Sequence, residues 1–293
     1  MENWLYNRHV VNILTGVLTA AFFIIPAVLI GWGTVLFLGS IVLLGSGLMF
    51  RSSIDPERIA GVRRLSPYYH GTLQRINASL AERAELESIP ELYVSEQNIA
   101  NAAAVETSRG PAIIVTQRLL DSLSYDELEA VLAHEIHHIK HGDIRLLTLL
   151  SQFRALYSMV PKMILGLLFF APLLLFFMPL TQGLMVMGIS AVTAVIIERA
   201  IMRLREYAAD YGAAQVIDDP LSLARALQRL ESTPVYINWM GRPVAVPRQR
   251  LEDRGGLSDL FRSHPRTESR IGFLKNIASR RHRDQGVFWS TVE

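Results

Sequence analysis

The sequence predicts a mostly helical α+β protein with about four membrane-spanning helices arranged in two hairpins. Three observations predict it: two long uncharged stretches, a region between them that alternates helix-like and strand-like segments, and a composition too apolar for a soluble domain. The chain has 293 residues, of which 50% are hydrophobic and only 19% charged, with a mean hydropathy of +0.25. Part of such a chain belongs in lipid. The 29 basic residues stand against 27 acidic ones, for a net charge of +2, which is too even a balance for a nucleic-acid binder. Cysteine is absent, so a metal site would have to use histidines and carboxylates.

The first uncharged stretch runs from Val10 to Phe50, 41 residues without a charge or a histidine. A single span needs about 20 residues, so this length predicts two helices, with the turn at Gly31-Trp32-Gly33-Thr34. It is too long for a cleaved signal peptide and reads as a retained anchor. The second stretch, Met163 to Ile197, holds 35 uncharged residues and is broken around Pro179 to Gly183, which predicts two more spans. A buried helical hairpin in a soluble core would normally carry a polar face. Arg8, Arg51, Arg58, Arg63, Arg64, Arg154, Lys162, Arg199, Arg203 and Arg205 flank the hairpin bases, whereas the tips are uncharged. This asymmetry predicts cytoplasmic bases.

Between the hairpins, Leu73, Ile76, Leu80 and Leu86 recur among charged residues, predicting an amphipathic helix over Thr72 to Glu87. Glu91 to Ser95 and Ala112 to Thr116 have the composition of strands. Ser124 and Glu127 form a capping-box pattern opening a helix toward Lys140, which Gly142 can end.

That helix carries His134-Glu135-Ile136-His137-His138. At 3.6 residues per turn, His134 and His138 lie about 40° apart on one face, so both imidazoles can reach one ion. Glu135 lies about 100° around from His134, placed to hold a water. Two imidazoles are too few for a catalytic zinc site, which takes three protein ligands. The extended motif would need a histidine at position 144, where Ile144 stands, so the third ligand lies elsewhere. Downstream, Glu206 and Asp210 share a face of an Ala-rich helical segment at i, i+4. On spacing alone, such an acidic pair is usually a solvated face.

HEIHHIKHGD (134–143), REYAADYGAA (205–214) and LFRSHPRTESRI (260–271), in this order around the hairpins, resemble the HtpX-like membrane zinc metallopeptidases, which are gluzincins related to the CaaX prenyl peptidases. The resemblance covers most of the chain. It implies a zincin-type catalytic domain divided as 1–51 (hairpin), 52–158 (first half, with HExxH), 159–200 (hairpin) and 201–293 (second half). It further implies one zinc ion on His134, His138 and Glu206, with Glu135 as general base. Asp143 and Asp210 would be outer carboxylates, and His264 the oxyanion donor, with Arg270 positioning it. Asn101, Ala102, Ala103 and Ala104 look like the family's substrate-binding edge strand, although such small residues also suit a packing turn.

His137 stands where relatives often have a small residue; with His141 and Lys140 it reads as an exposed polar residue. Pro234 to Gly256 has no usable counterpart. The function implied is an endopeptidase for membrane or unfolded proteins in membrane quality control and stress response. It would be a multi-pass inner-membrane enzyme with catalytic domain and termini in the cytoplasm; its oligomeric state is left open. A prenyl-peptide peptidase is an alternative, though relatives of that type have more spans. A catalytically silent metal-binding adaptor is another, but it would not need Glu135. The charges Asp126, Glu127, Glu129, Lys140, Asp143 and Arg145 around HExxH argue against a site at bilayer depth.

Overall fold

The computed structural model describes residues 8–30, 55–146, 178–233, 235–239, 242–246 and 265–290. In chain order the elements are α1 (Arg8–Ile30), a 3-10 turn (Pro56–Arg58), β1 (Val62–Arg64), α2 (Pro67–Arg83), β2 (Glu91–Ser95), β3 (Ala102–Thr107), β4 (Gly110–Thr116), α3 (Gln117–Ser122), α4 (Tyr125–Lys140), α5 (Met178–Val216), α6 (Leu221–Ser232), β5 (Val235–Trp239), β6 (Arg242–Val246) and α7 (Thr267–Ser290). The fold is mostly helical α+β with a small sheet, the class expected from the sequence.

Two compact units share the chain: Met1–Ser52 with Arg145–Arg205 and Gly256–His264, and Ser53–Ile144 with Glu206–Gly255 and Pro265–Glu293. In the first unit, α1 exposes Ile13, Val17 and Ile24, and α5 exposes Ile189 and Val192. Arg205 is buried and donates from Nη1 to Asn12 Oδ1 at 3.1 Å. Among the described residues no helix is long and apolar enough to cross a membrane, so the four expected spans are not found there. The turn at 31–34 and the first part of the second apolar stretch, 163–177, lie outside the described residues. Pro179 to Gly183, expected as a break, is helical. Proline is tolerated in a helix's first turn, where its missing N–H has no partner to lose, and α5 starts at Met178.

The second unit is built on a four-stranded sheet of order β1-β2-β4-β3. β2 and β4 are parallel, with Glu91 opposite Ala112, and β1 and β3 are antiparallel edges. β2 and β4 are central because their Leu92, Val94, Ile113 and Val115 are buried against the helices. Tyr93 and Ala112 fill a smaller apolar cluster with Val62. α2 packs on α4, α4 on α6 and on the β3–β4 hairpin, and α6 on α7. Leu80, Leu132, Ile136, Leu223 and Leu274 meet in the shared core. α2 starts five residues before the expected Thr72, at Pro67, whose fixed φ suits a first helical position. The separate pair β5–β6 is antiparallel with Val235 opposite Val246; no sequence signal had marked it.

α4 has both its ends secured. Ser124 Oγ accepts from the Glu127 N–H and the Glu127 carboxylate accepts from the Ser124 N–H at 2.8 Å, a complete capping box. Glu127 is buried and also pairs with Arg229 of α6 at 3.3 Å. At the other end Gly142 adopts φ +67°, the left-handed conformation that stops a helix and that glycine adopts without strain. α5, in contrast, keeps Gly212 inside a regular helix, where glycine costs about 1 kcal/mol relative to alanine. Its reason lies in the site.

Candidate metal centre and active site

α4 and α5 bring three side chains together. His134 Nε2 lies 3.1 Å from His138 Nε2, while Glu206 places Oε2 3.6 Å from His134 Nε2 and Oε1 3.8 Å from His138 Nε2. Four residues of helix separate the two imidazoles, so their rings meet on one face, edge to face with centroids 4.7 Å apart. Glu206 arrives from a helix more than sixty residues downstream, and small buried residues, Ala208, Ala209, Ala213 and Ala214, line that stretch of α5.

Carboxylates hold the far nitrogen of each ring. His138 Nδ1 is 2.8 Å from Asp143 Oδ2, and His134 Nδ1 is 3.0 Å from Asp210 Oδ1. A carboxylate accepts, so His138 Nδ1 carries its proton toward Asp143, while His134 Nδ1 faces Asp210 in an ion-pair contact, and each Nε2 turns toward the other ring. Two ring nitrogens and a carboxylate then converge on one point, an arrangement that suits a cation. Four tetrahedral ligands at the usual zinc distances stand about 3.4 Å apart, and the observed 3.1, 3.6 and 3.8 Å bracket that value. Among the described residues this is the one cluster of histidine and carboxylate ligand atoms within 4.8 Å of one another. The residues therefore fit a tetrahedral divalent ion.

The surrounding charge agrees. Burial alone would lower the pKa of His138, but the Asp143 hydrogen bond and the charges of Glu206, Glu135 and Asp143 raise it to about 9. A field that favours a proton there favours a metal cation in its place, with the proton released on binding. Asp210 is fully buried; burial pushes its pKa up, yet the charge and hydrogen bonds of Arg270 hold it below the usual carboxylate value. Arg270, on α7, donates from Nε and Nη2 to Asp210 at 2.8 and 2.6 Å, and its Nη1 lies 3.2 Å from Glu206 Oε2. One guanidinium thus touches both carboxylates of α5 that face the histidines.

Glu135 points from α4 toward the sheet edge, where its Oε2 accepts the Ala104 N–H at 2.9 Å. In the β3–β4 ladder Asn101 O accepts from Thr116 N at 2.9 Å, so odd-numbered positions of β3 bond to β4 and Ala104 faces the open edge. Ala102 and Ala103 sit in the same strand, and Asn101 immediately precedes it. Ala102, Ala103 and Ala104 thus lie in an edge strand and not in a turn. His264 lies outside the described residues.

His137 corrects the sequence reading. It is buried, 5% exposed, with Nδ1 donating to the Ala133 carbonyl oxygen at 2.8 Å. Burial pushes its pKa down to about 4, with the nearby charges of His141, Lys140 and His134 adding to the fall against the Ala133 hydrogen bond. It is therefore neutral near pH 7. Its ring rests on Gly212, where an added Cβ would overlap Cδ2 and come within 2.6 Å of Nε2. Lys140 is partly shielded and pairs with Glu85 at 3.6 Å. The sequence signal for this contact was the helix-interior Gly212 itself, standing six positions beyond Glu206.

Residues 67–278 match the profile of Peptidase family M48. A Protease HtpX homolog of Nostoc sp. is 35% identical over 229 residues, 72% of this chain and 74% of that protein. One from Salinibacter ruber is 31% identical over 276 residues, 91% of this chain and 96% of that protein. The crystal structure of S. mikatae Ste24p is similar with a TM-score of 0.48 and 22% identity, over 88% of this chain. This chain spans 62% of that protein's length.

Proposed function

Since the chain belongs to Peptidase family M48 and is a metalloprotease, we propose that it is a zinc-dependent endopeptidase that cuts membrane or misfolded proteins at the cytoplasmic face of the cell membrane. The observation that carries this reading is the convergence of His134 Nε2, His138 Nε2 and the Glu206 carboxylate, each ring backed by its own buried carboxylate. His134, His138 and Glu206 are the ligands, and Asp143 and Asp210 fix the tautomers. A zinc ion held there would supply a Lewis acid that polarises a peptide carbonyl and makes a water acidic near neutral pH.

Glu135 takes the proton of the attacking water and delivers it to the departing amine, an acid–base role typically worth about 10² to 10⁴ in rate. Its bond to the Ala104 N–H holds the carboxylate beside β3. The substrate runs along the open edge of β3 past Asn101, Ala102 and Ala103, pairing with the outward backbone of Ala102, which brings an extended backbone past Glu135. His264 donates to the oxygen that gains charge, a contribution of about 3 to 4 kcal/mol.

Two features support the membrane assignment. α1 turns Ile13, Val17 and Ile24 outward, at spacings that place them along one side of the helix, as a lipid-facing surface requires. Residues 1–51 and 159–200 contain the two uncharged stretches, each long enough for two spans, with basic residues at their ends that favour the cytoplasmic side. The catalytic halves, 52–158 and 201–293, then lie in the cytoplasm.

The test is zinc content together with casein cleavage by the full-length protein in detergent. One zinc per chain and chelator-sensitive cleavage are expected. Cleavage that persists unchanged after complete removal of metal would overturn the reading. For topology, a cysteine introduced at Gly183 should resist membrane-impermeant labelling from the cytoplasmic side of sealed vesicles; labelling from that side alone would contradict the orientation.

A further inference from the structure

We propose that His137 is a positioning residue of the metal centre: its ring, seated on the bare backbone of Gly212, sets the spacing of α4 and α5 and so the place where Glu206 meets His134 and His138. The inference rests on the metal-site reading above and goes beyond it, since His137 acts through its contacts with Ala133 and Gly212 and not as a ligand.

Three observations carry it. First, the contact leaves no room: a Cβ on Gly212 would overlap His137 Cδ2 and stand 2.6 Å from Nε2 and 2.7 Å from Cγ. Second, the ring is fixed to its own helix by the Nδ1 hydrogen bond to Ala133, and it is 5% exposed, so it acts as a rigid spacer. Third, the buried apolar positions nearest Gly212 on α5 are Ala208, Ala209, Ala213 and Ala214, too small to hold two helices apart. Gly212 lies two residues from Asp210 and six from Glu206, so a change in helix spacing at the ring is felt at both carboxylates.

Zinc affinity, measured by competition with a chromophoric chelator on the full-length protein in detergent, tests this for wild type, Gly212→Ala, His137→Ser and the double variant. The visible bands of the cobalt-loaded proteins report the coordination geometry. Gly212→Ala should lose affinity by about tenfold or more and lose the intense tetrahedral cobalt bands. Alanine is the better helix former, so propensity predicts no such loss. Adding His137→Ser should restore affinity and bands to those of His137→Ser alone. Wild-type affinity in Gly212→Ala, or a double variant as weak as Gly212→Ala, would overturn the inference. Should Gly212→Ala fail to fold, His137→Ser alone decides: removal of the spacer should weaken zinc several-fold and alter the cobalt bands, and unchanged values would overturn it. A wild type that bound no zinc would instead remove the metal-site reading and this inference with it.

Discussion

Arg270 grips Asp210 with two hydrogen bonds, Nε to Oδ2 at 2.8 Å and Nη2 to Oδ1 at 2.6 Å. The carboxylate so held is inaccessible to solvent and stands 3.0 Å from Nδ1 of His134, the nitrogen turned away from the ligand cluster. A forked pair of this kind fixes orientation as well as charge, and here it ties α7 to α5 directly behind the histidines.

Arg270→Ala would therefore leave a carboxylate buried without its countercharge, which costs about 3 to 5 kcal/mol. Denaturant unfolding of the purified protein should show that loss. Arg270→Lys should recover only part of it, because an ammonium cannot fork across both oxygens. A loss below about 1 kcal/mol in the alanine variant, the range of exposed pairs, would mean that the pair is not desolvated.

Glu206→Ala and Asp143→Ala should differ in kind. The first removes an atom of the converging set and should abolish stoichiometric zinc binding. The second removes only the acceptor behind His138, 2.8 Å away, and should weaken zinc by about 10 to 100-fold. Zinc affinities in the reverse order would move the third ligand away from α5.

Glu135→Gln should keep zinc and lose peptidase activity by about 10² to 10⁴. The amide oxygen can still accept the Ala104 N–H, so the side chain stays in place while its basicity is gone. Metal analysis and casein cleavage on the same preparation check both halves, and full activity in this variant would remove Glu135 from the chemistry.

Asp219 provides a pH signature away from the metal centre. Its carboxylate accepts from Leu221 N at 2.9 Å and from Arg225 at 2.8 Å at the start of α6. Burial raises its pKa, but these bonds outweigh that and depress it below 3.8. A depressed carboxylate stabilises the fold above the unfolded value and stops doing so as the pH falls through the folded one. Asp219 is half exposed, so Asp219→Ala should then cost only a fraction of about 1 kcal/mol near pH 7, as a solvent-screened pair does, and less once the pH is well below 3.8. Equal losses at both pH values would show that the carboxylate charge is not involved.

What the sequence could show depended on whether the informative residues were neighbours. His134, Glu135 and His138 lie on one helix, and their meeting follows from 3.6 residues per turn. The Ser124–Glu127 box and Gly142 marked the limits of α4 for the same reason. β1 was invisible because three residues, Val62 to Arg64, carry no periodicity, and their partners Tyr93 to Ser95 are some thirty positions away. β3 is rich in alanine, which strands disfavour, and only its pairing with β4 makes it one. His137 was misread because its burial is decided by Gly212, on a helix contributed from far along the chain. Local charge density suggested solvent there, and tertiary packing prevailed. Arg270 showed a similar limit: nothing in its neighbourhood pointed to Asp210, sixty residues upstream.

The open edge of β3 offers amides and carbonyls beside Glu135, and its side chains there are the small Ala102, Ala103 and Ala104. A polypeptide held by such an edge is recognised through the backbone that every protein shares, with little read from its side chains. On the substrate pairing proposed above, what separates a substrate from a bystander is whether a stretch of chain can leave its own hydrogen-bonded structure and lie extended. Selection of this sort operates on foldedness, and a stably folded neighbour is spared by its own cooperativity.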